Sequence, residues 1–90
     1  MKKQLHVYYS GKVQGIGFRY TIQDIASSFK VCGWVKNLSD SRVEVLAEAE
    51  EDTLGSFLEQ INQRFSRYIK EANAEWQPAS GEFRDFLITF

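Results

Sequence analysis

The spacing of apolar residues switches between two periods along the chain, and the order of these switches is the strongest constraint on its fold. Apolar residues alternate with polar ones from Leu5 to Tyr9, which is typical of a strand with one buried face. Over residues 22–29 the apolar spacing changes to three and four residues, as on one face of a helix that begins near Phe18 or Arg19. The first third of the chain is therefore predicted to form a strand followed by a helix.

The rest of the chain shows the same two periods again, separated by turn-forming residues. The predicted segments are a strand over 31–36, a turn over 37–41, a strand over 42–49, a helix over 50–65, strand segments over 71–76 and 85–90, and a turn over 77–81 between these last two. The predicted order is β-α-β-β-α-β, and Pro78 to Gly81 allow a break in the last strand.

This order of elements predicts the fold class. The strands over 31–36 and 42–49 are expected to form a hairpin, with both helices covering one face of an antiparallel sheet. We therefore expect an α+β fold, the ferredoxin-like α/β sandwich. A chain of 90 residues that is 43% hydrophobic can fill one core, so we expect a single domain over residues 1–90. Many unrelated activities occur on this fold, so the function must be inferred from particular residues.

Composition and charge exclude several classes of function. The net charge of −1 differs from the basic charge of a general nucleic-acid-binding protein. No apolar run approaches the roughly 18 residues of a membrane span, and polar residues follow Met1 where a signal peptide would be apolar, so we expect a cytoplasmic protein. One cysteine, Cys32, and one histidine, His6, permit neither an internal disulfide nor a Cys/His zinc site. The acidic residues between 48 and 52 are expected to form the solvated start of a helix rather than a cation site.

The segment 11–17 contains three glycines and connects the first strand to the first helix. Such a loop can place several backbone N–H groups and the positive end of the helix dipole around one point, which favours an anion. Arg19 lies at the start of the helix, and its forked guanidinium can bind two oxygens of a phosphoryl group. Residues 1–42 are also net positive, whereas residues 43–90 are net negative. A tight turn with a solvated arginine is the alternative interpretation.

Two segments resemble the signature motifs of a known family. Residues 11–19, GKVQGIGFR, and residues 33–37, GWVKN, are similar to the two motifs of the acylphosphatase family. The likeness in length and element order covers essentially the whole chain. The resemblance implies a small enzyme that hydrolyses the carboxyl–phosphate bond of acyl phosphates without a metal or another cofactor. It also implies that the substrate is a small acyl phosphate and that inorganic phosphate is both product and inhibitor, and we expect the enzyme to be a monomer.

The same resemblance assigns roles to particular residues. Arg19 and Asn37 would be the catalytic residues, with Arg19 binding the phosphate and Asn37 orienting the attacking water. The residues that would hold the substrate phosphate are Gln14, Gly15, Ile16, Gly17, Phe18 and Arg19. The conjugate acid of the leaving carboxylate has a pKa of about 4, so its departure needs no general acid. Positioning and charge stabilisation are then the main requirements of the reaction.

Ser41 and Ala49 depart from the family pattern, which usually has glycine at both positions. If Ser41 must adopt a positive φ, strain of roughly 1 to 2 kcal/mol is expected in the turn that follows Asn37. The conformation of this turn determines where the Asn37 side chain points.

Two other classes of function remain open. Residues 15–18 are similar to the Gly-Phe-Gly-Phe core of an RNA-recognition motif, but that core belongs on the third strand, and residues 42–49 contain no aromatic residue. A non-catalytic anion-binding or scaffolding domain is the second alternative. The presence of Asn37 beside Arg19 favours the enzyme, because binding alone requires no water-orienting amide.

Overall fold

The computed structural model describes residues 1–90 and has the predicted order of elements. The elements are β1 (Lys2–Gly11), α1 (Phe18–Phe29), β2 (Cys32–Asn37), β3 (Val43–Glu50), α2 (Glu51–Arg64), β4 (Ile69–Pro78) and β5 (Phe86–Thr89). Both predicted helices are confirmed. The predicted break in the last strand is also confirmed, because β4 and β5 are separate strands of one sheet.

The five strands form a mixed sheet in the order β4-β1-β3-β2-β5. β1 pairs antiparallel with β3 and β4, and β2 pairs antiparallel with β3. The expectation of a purely antiparallel sheet is wrong for one pair, since β5 is parallel to β2. The reason is the direction of the chain: β4 lies at one edge and runs opposite to β1 and β2. After leaving β4, the chain crosses the end of the sheet to the other edge and returns in the direction of β2.

This topology determines which loops meet. β1 and β2 run in the same direction, because both pair antiparallel with β3. The loop after β1, residues 12–17, and the turn after β2, residues 38–42, therefore lie at the same end of the sheet. β5 also ends there, because it is parallel to β2. The two sequence motifs are thus brought to one end of the molecule.

The helices cover one face of the sheet, and the core lies between these layers. Alternate residues of β1 and β3 point into this core, as do the apolar stripes of the helices. These residues include Leu5, Val7, Tyr9, Val43, Val45, Ala47, Ile22, Ile25, Ala26, Leu54, Phe57 and Ile61. Tyr9 packs edge-on against Phe18, with ring centroids 5.3 Å apart, and its hydroxyl is buried without a hydrogen-bond partner. Burial raises the pKa of Tyr9 far above its ordinary value.

Gly33 marks a close approach between β2 and β3. Its φ is 139°, and a Cβ there would overlap the carbonyl oxygen of Leu46. Its N–H also donates to the carbonyl oxygen of Asp85, at 2.8 Å. No larger residue fits at this position without moving the backbone of β3.

Glu48 differs from the prediction of a solvated helix start. It lies within β3, not α2, and is only 3% exposed. Its carboxylate accepts hydrogen bonds from the Gln4 side chain (2.7 Å), from the N–H and hydroxyl of Ser80 (both 2.8 Å) and from the N–H of Gly81 (3.0 Å). The carboxylate therefore fixes the segment that connects β4 to β5. Sequence periodicity could not show this, because the donors come from distant parts of the chain.

Neither α1 nor α2 combines the length and the apolar character that crossing a membrane requires.

Candidate active site

The loop between β1 and α1 contains two glycines in the left-handed conformation. Gly15 has a φ of 78° and Gly17 a φ of 77°. A Cβ at either position would meet no neighbouring atom, so glycine is required by the backbone conformation and not by crowding. Gly17 is the N-cap of α1, which begins at Phe18. Glycine at both positions thus lets the loop turn into α1 without backbone strain.

The loop and the first turn of α1 present unpaired backbone donors. None of the N–H groups from Gly15 to Tyr20 donates to a backbone carbonyl, and the first such bond runs from Thr21 to Gly17, at 3.0 Å. Gly17 has no side chain that could cap the helix, and the first turn contains no acidic residue. The free N–H groups and the positive end of the helix dipole favour a bound anion.

These donors surround a cavity of about 160 Å³. Its lining residues are Val13, Gly15, Gly17, Phe18, Arg19, Tyr20 and Asn37. The structure therefore places Arg19, from α1, and Asn37, from β2, on the same cavity, although 18 positions of the sequence separate them. A larger depression of about 310 Å³ lies over Phe29 and polar residues of α2, but no cationic side chain lines it. A depression of about 290 Å³ has Lys30 and Arg84 in its lining, but also the carboxylate of Asp85. The 160 Å³ cavity has Arg19 and no carboxylate, so it is the better candidate for an anionic substrate.

Arg19 is half-buried and forms no ion pair with any carboxylate of the chain. Its Cζ lies 5.3 Å from the centroid of the Phe90 ring, a cation–π contact. With no carboxylate partner, the guanidinium N–H groups remain free to donate. Arg19 can therefore bind two oxygens of a phosphoryl group in the cavity.

Asn37 is the last residue of β2 and pairs with Val43 of β3. Its Oδ1 is buried and has no hydrogen-bond partner in the protein. An unpaired buried acceptor is costly, and such atoms in folded proteins are usually satisfied by water or a ligand. Asn37 also lines the cavity, so an amide oxygen that lacks a partner lies beside the candidate anion site.

The Gln14 side chain lies away from the cavity, unlike most residues of the predicted phosphate-binding segment. Its Nε2 donates to the carbonyl oxygens of Leu38 and Arg42, both at 2.9 Å. These two carbonyls flank the turn that follows Asn37. The Gln14 side chain therefore links the glycine-rich loop to the β2–β3 turn, and it does not line the cavity. Sequence reasoning missed this link, since nothing local in the sequence indicates a contact with residues 38 and 42. Ile16 also lies outside the cavity lining and is 37% exposed.

Comparison with known proteins identifies the family. The family model described as Acylphosphatase matches residues 5–88. The chain belongs to the acylphosphatase family. It is 50% identical over 87 residues to an acylphosphatase of Bacillus subtilis strain 168, covering 94% of this chain and 96% of that protein. It is 42% identical over 88 residues to an acylphosphatase of Treponema denticola, covering 96% and 92%. A crystal structure of acylphosphatase from Bacillus subtilis superposes with a TM-score of 0.91 at 37% identity, covering 98% of this chain and 99% of that one.

The predicted family, the ferredoxin-like fold and the hydrolase class are thereby confirmed. The two departures from the acylphosphatase pattern have different structural consequences. Ser41 adopts a φ of 76°, so a side chain occupies a backbone conformation that favours glycine. Ala49 has no positive φ and pairs with Lys3 in β1, so β3 accommodates alanine without backbone strain.

Proposed function

We propose that this protein hydrolyses the carboxyl–phosphate bond of small acyl phosphates and releases a carboxylate and inorganic phosphate, without a metal or another cofactor. The observation that carries the proposal is the shared cavity of Arg19 and Asn37, next to the free N–H groups of the loop. Family membership supports the reaction type. The geometry and the motif resemblance support the roles of Arg19 and Asn37.

The phosphoryl group is bound by the backbone from Gln14 to Phe18 and by Arg19. The free N–H groups donate to its oxygens, and the guanidinium fork of Arg19 donates to two of them. Charge spreads over these oxygens in the transition state of phosphoryl transfer, so donors that are already oriented stabilise that state.

Asn37 holds the attacking water through its unpaired Oδ1. The water oxygen forms a bond to phosphorus while the bond from phosphorus to the acyl oxygen breaks, and its electron pair leaves with the carboxylate. A neutral amide is a poor base, so the water proton passes to a phosphoryl oxygen. Asn37 thus contributes orientation, which is a major source of rate enhancement when the reacting atoms are held in line.

The proposal also covers the oligomeric state, inhibition by phosphate and the cellular location. One chain forms the whole cavity, which supports a monomer organised as a single domain over residues 1–90. Inorganic phosphate binds the same donors and acts as both product and competitive inhibitor. A sequence with a single cysteine, which permits no internal disulfide, supports a cytoplasmic location.

The exposed face of the sheet gives no support to the RNA-binding alternative. The ring of Tyr8 lies under the Arg42 guanidinium, with 4.8 Å between the ring centroid and Cζ. The Trp34 ring likewise has Lys36 Nζ 5.2 Å from its centroid. RNA-recognition modules stack bases on free aromatic rings, whereas these rings are covered by cations of the same chain. We therefore propose that nucleic acid is not a partner.

Hydrolysis of benzoyl phosphate by the purified protein, with a chelator present, tests the proposal. We expect turnover well above the buffer rate that is unaffected by the chelator. Asn37→Ala should lower kcat about 100-fold while the inhibition constant of phosphate changes little, because Asn37 contacts the water and not the phosphate. Arg19→Lys should lower kcat/KM about 100-fold or more and weaken phosphate inhibition, since an ammonium cannot donate as a fork.

Matched substitutions away from the cavity are the controls. Asn73→Ala, on the exposed edge strand β4, and Arg84→Lys, before β5, should leave both constants near the parent values. Turnover of the parent protein at the buffer rate would support the non-catalytic alternative. A folded Asn37→Ala protein with parental kcat would exclude the water-orienting role.

A further inference from the structure

The cavity is small compared with pockets that enclose whole organic ligands. Its volume is about 160 Å³, whereas pockets that enclose small organic ligands usually have about 300 to 1,000 Å³. One water molecule takes about 30 Å³, so a phosphoryl group and the attacking water fill most of the space. An acyl group of more than a few atoms must then extend to the mouth of the cavity.

Two exposed aromatic side chains adjoin that mouth. Tyr20 lines the cavity and is 62% exposed. Phe90 is 96% exposed, and its ring centroid lies 5.3 Å from the Arg19 Cζ. Neither ring belongs to the core. Both therefore present apolar surface to solvent next to the arginine that is proposed to bind the phosphate.

The charges around the cavity also favour an apolar acyl group. Arg19 is the only charged residue among the lining residues, and the proposed function uses it for the phosphoryl group. The lining has no second cation for an anionic acyl group and no carboxylate for a cationic one. Apolar contact with aromatic rings is the interaction that the mouth offers.

We propose that Tyr20 and Phe90 form a subsite for the acyl group, which gives the protein a preference for acyl phosphates with apolar, planar acyl groups over small or charged ones. The inference rests on the proposed function, because it assumes that the phosphoryl group binds in the cavity. Aromatic rings prefer offset or edge-to-face contacts with other rings, so an aromatic acyl group gains more at this subsite than a methyl group does.

The test compares benzoyl phosphate with acetyl phosphate in the parent protein, Tyr20→Ala and Phe90→Ala. We expect each substitution to lower the ratio of kcat/KM for benzoyl phosphate to that for acetyl phosphate by roughly 3- to 10-fold. The loss should appear mainly in the KM of benzoyl phosphate. Phe90→Tyr should retain the parental ratio, because it keeps the ring.

Two further measurements separate the subsite from other effects. Trp76→Ala is the matched control, since Trp76 is 46% exposed and lies on β4 opposite Leu5, away from the glycine-rich loop. The dissociation constants of benzylphosphonate and methylphosphonate report the same preference without any turnover. Their ratio should fall by a similar factor in Tyr20→Ala and Phe90→Ala, while the binding of inorganic phosphate stays unchanged.

An unchanged phosphonate ratio in both variants would overturn the subsite. So would an equal loss of benzoyl phosphate, acetyl phosphate and inorganic phosphate binding in Phe90→Ala, because Phe90 would then act only by orienting Arg19. Absence of turnover in the parent, with the expected change in the phosphonate ratio, would overturn the proposed function and leave the subsite standing as a binding site.

Discussion

Two residues other than glycine have a positive φ: Lys30, at the end of α1, and Ser41, in the turn that follows Asn37. Ser41 has a φ of 76°, and its N–H donates to the carbonyl oxygen of Leu38 at 3.2 Å. The left-handed conformation costs a residue with a Cβ roughly 1 to 2 kcal/mol, whereas glycine adopts it readily. The turn thus tolerates strain at the position where other members of the family usually have glycine.

Ser41→Gly should therefore raise the free energy of unfolding by about 1 kcal/mol and leave or raise activity. Thermal or urea unfolding measures the change. Ser39→Gly is the control, because Ser39 lies in the same turn without a positive φ, and there glycine should give no gain. A lower melting temperature for Ser41→Gly would show that a contact of the serine hydroxyl outweighs the strain.

At the scale of elements, the site depends on how the glycine-rich loop is joined to the β2–β3 turn. The Gln14 amide donates to carbonyls at both ends of that turn. The Leu38 N–H also donates to the Arg42 carbonyl, at 2.8 Å. Loop and turn therefore form one hydrogen-bonded unit, and Asn37 at the end of β2 is held at a fixed distance from the phosphate-binding donors.

Gln14→Met, which keeps the length of the side chain but removes its donors, should loosen this unit. We expect kcat to fall about 10- to 100-fold, since misplacement by about 1 Å can cost 100-fold. The phosphate inhibition constant should change less than kcat, because the backbone donors stay in place. Gln63→Met on the exposed surface of α2 is the control. Equal losses in kcat and in phosphate affinity would indicate that Gln14 shapes the phosphate site itself.

At the scale of the whole molecule, Glu48 connects a central strand to the crossing segment between the two edges of the sheet. Burial raises the pKa of Glu48, but the hydrogen bonds from Ser80, Gln4 and Gly81 outweigh this effect and hold it below its ordinary value. In the folded protein the carboxylate therefore stays ionised at a pH where the unfolded chain has begun to bind a proton. Its contribution to stability is complete above the ordinary pKa and is lost as the pH falls through the folded pKa.

Glu48→Gln should lower the free energy of unfolding at pH 7 by about 1 to 3 kcal/mol, because the donors of residues 80 and 81 lose an ionised acceptor. The difference from the parent should shrink as the pH falls below the ordinary value of 4.5. Unfolding curves between pH 7 and pH 3 measure it. Glu59→Gln on exposed α2 should show no such convergence. A constant difference at every pH would mean that the charge of Glu48 is not what holds the crossing segment.

The sequence by itself determined those features of the fold that depend on residues close together in the chain. The two periods of apolar spacing predicted the helices and the strands, and the turn-forming residues between 77 and 81 predicted a break between β4 and β5. The three glycines of segment 11–17 predicted a loop that can hold an anion, and the motif resemblance led us to propose Arg19 and Asn37 as site residues. The resemblance also marked Ser41 as a departure from glycine, and a turn's backbone conformation is largely a local property.

The tertiary structure alone decided what depends on residues far apart in the chain. The parallel pairing of β5 with β2 follows from the direction in which the chain returns across the sheet, and no local pattern encodes that path. The contacts of Gln14 with the β2–β3 turn, of Glu48 with residues 80 and 81, and of Phe90 with Arg19 arise in the same way. Periodicity specifies which face of an element is buried, but the partners of a polar or aromatic side chain are fixed only when the elements pack together.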